Sequence, residues 1–275
     1  MFDQFSITTK EKKFRAILFR SGGLGDFILT LPLICYLQNN FLEVILVTKP
    51  SFFCLVDQDK IKCLDVDLGI QPLKALICGA EVYSFWKDSE WETELKQMKA
   101  DKIFQICSRP TQVPHIVESI FNAFNPSAFS SHFISFPWLE DKWKKTSTLW
   151  IHPGSGSPKK NIPFSYFKNK AEDWLQKDKR NRVSFSFGPA DEKLFESFQN
   201  TSLKHSENVM QIFPDSIDEF RTLLCRGVSH FLGNDSGPSH LAANLGIPTQ
   251  VFFRSTNPSI WAPTGPRVKI HQFSL

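Results

Sequence analysis

Apolar and polar residues alternate along the second half of the chain in blocks that predict strands and helices in turn. Short apolar blocks predict strands, and apolar residues three or four positions apart predict the helices between them. The predicted strands cover residues 148–152, 182–187, 228–232 and 249–253, and the predicted helices cover 164–177, a segment starting near 192, and 216–225. Strands that alternate strictly with helices across short loops predict a parallel, doubly wound sheet.

The first half begins in the same way. An apolar strand over 14–19 leads into a glycine-rich turn over 20–26, and apolar residues at helical spacing follow as far as Leu37. Strand, glycine-rich turn and helix form the opening of a Rossmann-like unit. Further strands are expected over 42–47, 61–66, 75–82 and 102–107, with a helix over 114–124. The predicted fold class is therefore α/β, with Rossmann-like domains over residues 1–145 and 146–275.

Composition narrows the classes of protein to consider. The 275 residues carry a formal charge of +4, an excess too small to indicate a nucleic-acid groove. The six cysteines show neither C-x-x-C pairs nor zinc-finger spacing, so no metal site or disulfide framework is expected. The sequence shows no signal peptide and no apolar run of about 20 residues, and we expect a cytoplasmic protein.

The basic and aromatic segment over 136–145 is read as a linker between the domains. A solvated connector is favoured over a contact with a membrane surface, although both remain open at this point.

The glycine-rich turn does not fit a dinucleotide site. Gly23 and Gly25 set a frame in which Ile28 stands where G-x-G-x-x-G requires its third glycine. The second strand is followed by Thr48 and Lys49, where an NAD site requires an acid for the ribose. A nicotinamide cofactor is therefore rejected. The glycines instead allow the backbone to approach a substrate closely, while Asp26 either caps the helix or faces the crevice.

The segment over 231–248 carries the main candidate site. It is predicted to be the end of a strand, a turn of Gly, Asn, Asp and Ser, and a short helix opened by Pro238 and closed by Gly246. Unpaired N–H groups and the positive end of the helix dipole would attract an anion such as phosphate. In the alternative interpretation, Asp235 or Ser236 only caps the helix and His240 packs against its neighbours.

Four motifs in this order resemble a known family. They are residues 20–26, His152–Gly156 with Lys160–Pro163, Gly188 with Glu192, and 233–243. Together they resemble the ADP-heptose:lipopolysaccharide heptosyltransferases, glycosyltransferase family 9. The resemblance implies a GT-B fold, in which two Rossmann-like domains face a central cleft, the first binding the acceptor and the second the sugar nucleotide.

The resemblance also implies roles for individual residues. Asp26 would be the base that deprotonates the acceptor hydroxyl, Lys160 would neutralise the diphosphate, and Glu192 would hold the nucleoside ribose. The remaining predicted substrate-binding residues come from the same motifs: Gly22, Gly23, Gly25, Ser155, Gly156, Asp235, Ser236, Gly237 and His240. The open alternatives are a capping Asp26, a solvated Lys160, and a Glu192 placed in its first turn by the helix dipole.

The implied activity is inverting, metal-independent transfer of a heptose or related sugar from an ADP-sugar to a lipopolysaccharide-core or other glycan acceptor. No cofactor, no metal and no nucleic-acid partner is expected. A glycolipid or oligosaccharide acceptor would bring the protein into peripheral contact with the cytoplasmic face of the inner membrane. The alternative is a relative that binds a sugar nucleotide without catalysis. The end at Leu275 without the family's long C-terminal helix favours that alternative, whereas the presence of both Asp26 and Lys160 favours the enzyme. Ile162 at the usual Trp position of the family suggests a looser cleft or a different acceptor.

Overall fold

The computed structural model describes residues 12–129 and 145–273, which contain two separate parallel sheets. The sequence-predicted linker over 136–145 lies, apart from its last residue, outside the described residues. Within the described ranges, no helix combines the length and the apolar character needed to cross a membrane.

Contacts group the described residues into two compact units. The first unit contains the described residues up to Arg20 and Leu33–Ile106, and the second contains Ser21–Pro32 and the described residues from Cys107 onward. The predicted boundary between residues 145 and 146 separates the strands of the two sheets. Residues 21–32 and 107–129 nevertheless group with the second unit.

The first unit is built on a five-stranded parallel sheet with the order β3-β2-β1-β4-β5. Its strands are β1 (Lys13–Phe19), β2 (Phe41–Thr48), β3 (Lys62–Asp65), β4 (Glu81–Ser84) and β5 (Lys102–Gln105). The helices that follow its strands are α2 (Leu31–Asn40), α3 (Lys74–Ile77) and α4 (Ser89–Gln97). Ile17 and Phe19 of β1 pack with Ile45, Val47 and Val82 of the neighbouring strands in one buried cluster, as expected for a parallel sheet covered on both faces.

Two predictions for the first half were partly wrong. The expected strand over 75–82 is the helix α3 followed by β4, and Gly79, at φ +72, makes the reversal between them. A short apolar block does not distinguish a buried helix from a strand. The helix expected after the glycine-rich turn is divided into α1 (Leu24–Ile28) and α2, because Pro32 has no N–H to continue the hydrogen bonding of α1.

The second unit is built on a six-stranded parallel sheet with the order β11-β10-β9-β6-β7-β8. Its strands are β6 (Thr148–His152), β7 (Arg182–Ser186), β8 (Val209–Ile212), β9 (His230–Asn234), β10 (Thr249–Phe253) and β11 (Val268–Gln272). Its helices are α1, α5 (Ile116–Asn122), α6 (Phe164–Lys177), α7 (Glu192–Gln199), α8 (Ile217–Arg226), α9 (Gly237–Asn244) and α10 (Pro258–Trp261). The bounds predicted for β6, α6 and β10 are confirmed.

The strand order of the second sheet fixes where a ligand can bind. From β6 the chain continues through β7 and β8 to one edge, then returns to build β9, β10 and β11 on the other side. The connections therefore diverge between β6 and β9, and ligands of open α/β sheets bind at the carboxyl ends of strands at such a switch point. His152 ends β6 and Asn234 ends β9, so both predicted motifs lie at this switch point.

Candidate active site

Asn234, which is fully buried, ties the loops that leave β6 and β9. Its Nδ2 donates to the Pro153 carbonyl at 2.7 Å, and its Oδ1 accepts the Ile162 N–H at 3.2 Å. An asparagine supplies both a donor and an acceptor, so a single side chain fixes two segments. The loop after β6 is therefore fixed to the end of β9 at the switch point.

The two predicted binding residues in the loop after β6, Ser155 and Gly156, have different roles. The Ser155 hydroxyl contacts the Ser157 carbonyl at 2.7 Å and Asn161 Oδ1 at 2.6 Å, and the side chain is buried. It therefore stabilises the loop. Gly156 is exposed, and a Cβ added there would meet no atom within 4 Å. Its backbone is accessible to a ligand.

Asp235 is the centre of the site. Its Oδ2 accepts hydrogen bonds from Lys160 Nζ at 2.7 Å and from Thr256 Oγ1 at 2.6 Å, while His240 Nε2 lies 3.6 Å from its Oδ1. Burial by itself raises the pKa of Asp235, but the contacts with His240, Lys160 and Thr256 outweigh it and lower the pKa to about 2. The carboxylate is therefore ionised at neutral pH. Three predicted residues, Lys160, Asp235 and His240, are brought together here.

The helix α9 starts directly beside this cluster. Ser236 is its N-cap in extended conformation, and Gly237 and Pro238 are its first two residues. The Ser236 side chain makes no capping bond; its hydroxyl lies 3.3 Å from that of Ser239, which donates to the Asn234 carbonyl at 2.6 Å. Ser236 therefore stands at the N-cap position considered from sequence, but without a capping bond from its side chain. The positive end of the helix dipole faces the region of the cluster.

The glycine-rich turn packs against α9. A Cβ at Gly237 would lie 2.7 Å from Leu24 Cβ, and a Cβ at Gly25 would lie 3.0 Å from His240 Cδ2. Gly237 therefore has no room for a side chain because α1 and α9 approach each other so closely, and a side chain at Gly25 would require the His240 ring to shift slightly. For Gly237 this is a reason that the sequence did not reveal, since proximity to phosphate was the only reason predicted.

Asp26 occupies the first turn of α1. Its Oδ2 accepts the Gly23 N–H at 3.0 Å, so the capping role considered from sequence is observed. Gly22, at φ +116, and Gly23 are both exposed in front of it. Asp26 itself is half-buried. Its role as a base stays a prediction.

Glu192 is exposed on a groove of about 400 Å³ at the first turn of α7. The groove shares five residues with a neighbouring cleft of about 270 Å³ that extends to Leu24 and Pro238 at α1 and α9. The shared wall consists of Phe187, Gly188, Pro189, Pro214 and Asp215. Glu192 and the start of α9 therefore lie along one connected depression, although Glu192 is not part of the Asp235 cluster.

The sequence interpretation missed several residues of this region. Thr256 follows the carboxyl end of β10, and a polar run after a strand was the signal that identified the other loops. His152 was recognised only as part of a motif, and Asp191 was not considered. The structure places His152 Nε2 3.6 Å from Asp191 Oδ2, with both side chains buried. In the described residues, no three His, Cys, Asp or Glu side chains are grouped so that they could hold a metal ion.

Comparison with known proteins identifies the family. The sequence model of glycosyltransferase family 9 (heptosyltransferase) matches residues 121–274, which is more than half of the chain. The chain belongs to glycosyltransferase family 9. This family 9 chain is accordingly a glycosyltransferase. No curated protein sequence matches it.

Solved structures agree on the fold. The family 9 chain resembles the glycosyl transferase family 9 protein from Veillonella parvula DSM 2008, with a TM-score of 0.73, 16% identity, and coverage of 96% of this chain and 88% of that one. The structure of E. coli heptosyltransferase WaaC with ADP matches with a TM-score of 0.70 and 13% identity, covering 94% of this chain and 93% of that one. E. coli ADP-heptose lps heptosyltransferase II also matches with a TM-score of 0.70 and 13% identity, covering 94% of this chain and 90% of that one. The predicted GT-B-type fold with two Rossmann-like domains is confirmed.

Proposed function

We propose that this glycosyltransferase transfers a heptose or related sugar from an ADP-sugar to a glycan acceptor, with inversion and without a metal ion. The observation that carries the proposal is the Lys160–Asp235 ion pair beside the start of α9 at the switch point of the second sheet. A cation and a helix N-terminus side by side suit a diphosphate leaving group.

The donor is assigned to the depression between α9 and Glu192. Lys160 has three N–H donors, and among the described residues Asp235 accepts one of them, so the others can be directed at phosphate oxygens. Because Lys160 balances the charge of Asp235 and Thr256 donates a hydrogen bond to it, the carboxylate orients the lysine and repels the phosphates less. At the other end of the depression, Glu192 would accept hydrogen bonds from the ribose hydroxyls.

The proposed reaction is a single displacement at the anomeric carbon of the donor sugar. The acceptor oxygen forms a bond to the anomeric carbon as the bond from that carbon to the diphosphate oxygen breaks, and ADP leaves. The acceptor proton passes to Asp26, and Lys160 and the start of α9 stabilise the charge on the diphosphate. Attack opposite the leaving group inverts the anomeric centre. The ADP-sugar is suggested by the family and by WaaC, which was solved with ADP.

The acceptor is proposed to be a lipopolysaccharide core or another glycolipid or oligosaccharide, bound by the N-terminal domain. A lipid-linked acceptor would place this cytoplasmic enzyme in peripheral contact with the inner membrane. The likeness to E. coli ADP-heptose lps heptosyltransferase II supports this assignment.

The test is a transfer assay with a panel of nucleotide sugars, preceded by thermal shifts with ADP, UDP, GDP and NAD. ADP at about 100 times its dissociation constant should stabilise the folded state by roughly 2.7 kcal/mol, and NAD should do much less. A larger shift with UDP or GDP would contradict the donor assignment. Binding of ADP without turnover of any ADP-sugar would favour the alternative, a relative that binds without catalysis; the Gly23–Asp26 capping bond is compatible with such a protein.

A further inference from the structure

Four buried side chains of the second unit form a polar chain beneath the cleft, in which two hydrogen bonds are followed by one longer contact. Trp150 Nε1 donates to Ser186 Oγ at 2.8 Å, and the same oxygen lies 3.1 Å from His152 Nδ1. His152 Nε2 lies 3.6 Å from Asp191 Oδ2. None of the four residues is more than 7% exposed. Such a chain of polar groups in the interior requires that each donor meets an acceptor.

One arrangement of the hydrogens gives every donor of this chain an acceptor. An indole N–H is solely a donor, and an ionised carboxylate is solely an acceptor. Ser186 Oγ accepts from Trp150, and in this arrangement its own hydrogen is directed at His152 Nδ1. The Nε2–H of His152 then points to Asp191. Burial lowers the pKa of His152 by more than the neighbouring Asp191 raises it, which agrees with this neutral, Nε2-protonated imidazole.

The Asp191 carboxylate, at the end of this polar chain, does not make the contacts that are usual for a helix N-cap. Asp191 is the N-cap of α7, yet its side chain makes no capping bond to that helix. Its Oδ2 instead accepts the Gly188 N–H at 2.8 Å. On its other side it fills the space in front of Gly154, where any Cβ would collide with the carboxylate. One carboxylate therefore contacts both the loop before Glu192 and the loop before Ser155.

We propose that Asp191 is a positioning residue for the nucleotide-sugar site, oriented by His152 and Ser186. It holds Gly188 and Gly154, and through them the two loops that carry the proposed donor contacts. This role rests on the proposed function, because the loops matter for activity only if the donor binds there. Asp191 itself neither accepts the transferred proton nor contacts the reacting atoms.

Ser186→Ala interrupts the polar chain and changes no residue of either loop. It leaves Trp150 Nε1 without its acceptor and His152 Nδ1 without its donor. The matched control is Ser229→Ala, since Ser229 is also buried and its Oγ lies 2.9 Å from His230 Nδ1, next to Trp174. Ser229 lies just before β9, at the amino ends of the same sheet, away from the site. Ser186→Thr restores the hydroxyl and serves as the rescue.

The first measurement is amide hydrogen exchange at Gly188 without ligand. Ser186→Ala should increase the exchange rate at Gly188 by about tenfold or more, and Ser229→Ala should not, although each variant removes a buried hydroxyl that contacts a histidine ring. Equal exchange in the two variants would overturn the proposal. If Ser186→Ala does not fold, Asp191→Ala replaces it, because this variant removes the oxygen that accepts the Gly188 N–H, and the same increase in exchange at Gly188 is expected.

The second measurement uses ADP as the probe and, with an active donor, separates KM from kcat. Ser186→Ala should raise the Kd for ADP and the donor KM at least tenfold, while kcat stays within about threefold of the wild-type value. Ser186→Thr should recover most of the affinity for ADP. Ser229→Ala should keep the Kd for ADP and the donor KM within about twofold of the wild-type values. Unchanged affinity in Ser186→Ala would show that the chain is merely structural. If the unaltered protein gives no response to ADP, the proposed donor is wrong, and the Gly188 exchange rate alone then decides the positioning role.

Discussion

Lys160 and Asp235 are separated by 75 positions in the sequence, and their side chains form an ion pair of 2.7 Å. The Lys160 side chain is 32% exposed and the Asp235 side chain only 5%. The lysine therefore has an accessible face, while the carboxylate is enclosed by its partners. A half-exposed cation oriented by a buried anion has a defined position even when no ligand is bound, which is the property required of a charge that stabilises a leaving group.

Lys160→Ala should weaken ADP binding and slow transfer together, because the same ammonium group contacts the diphosphate before and during the reaction. We expect a loss of about tenfold or more in kcat/KM, measured with saturating acceptor. Lys159→Ala is the matched control, since Lys159 is the exposed neighbour in the same short turn. A chelator should leave activity intact. Activity lost with EDTA and restored by magnesium or manganese would contradict this assignment.

Asp26→Asn should reduce kcat by roughly 100-fold or more and leave the affinity for ADP within a few fold. The amide oxygen of asparagine can still accept the Gly23 N–H, so α1 keeps its cap and the two effects are separated. The measurement is steady-state kinetics together with ADP titration. A silent substitution would mean that Asp26 is only a cap, and equal losses in binding and rate would show that it acts on the donor.

Gly237→Ala should lower the melting temperature by roughly 2–10 °C, since overpacking costs about 1–3 kcal/mol. The new methyl group would lie 2.7 Å from Leu24 Cβ and 3.2 Å from the Gly25 nitrogen, so α1 must move. Gly156→Ala is the control, because its methyl group would meet nothing within 4 Å. Equal melting temperatures for the two variants would show that α1 does not pack tightly on α9.

Glu81→Gln should destabilise the protein by about 1–3 kcal/mol at neutral pH. The buried Glu81 carboxylate accepts from Lys13 at 2.8 Å, from Lys102 at 3.1 Å and from the Tyr83 hydroxyl at 3.1 Å. Burial raises its pKa, but these partners outweigh burial and lower it below the usual value. The stabilisation is therefore present above the pKa of the unfolded chain and is lost as the pH falls through the folded-state pKa.

Urea unfolding of the wild type and of Glu81→Gln at several pH values measures this difference. It should be largest near neutral pH and shrink in acid. Glu207→Gln, at an exposed position, should show almost no effect at any pH. A difference that does not change with pH would exclude the carboxylate charge as the cause.

Local signals predicted much of the second unit and less of the first. The bounds of β6, α6 and β10 follow from apolar blocks that are buried in the sheet and bordered by polar turns. β8 was missed because it is an edge strand, in which Met210 and Gln211 are exposed and break the apolar pattern. α3 was taken for a strand because a block of a few apolar residues fits both kinds of element.

The sequence by itself determined which residue types stand at the carboxyl ends of the strands, and the resemblance of its motifs to family 9 implied that Lys160, Asp235 and Glu192 bind a sugar nucleotide. It also determined the alternation of strands and helices that leads to parallel sheets. Only the tertiary structure decided which candidates meet. Lys160 reaches Asp235, and His152 reaches Asp191, because β6 lies between β7 and β9 in the sheet. The packing of α1 on α9, likewise, makes Gly237 necessary for a steric reason. Such pairings depend on strand order and on close packing between distant segments, and no local pattern of residues encodes the distance between them.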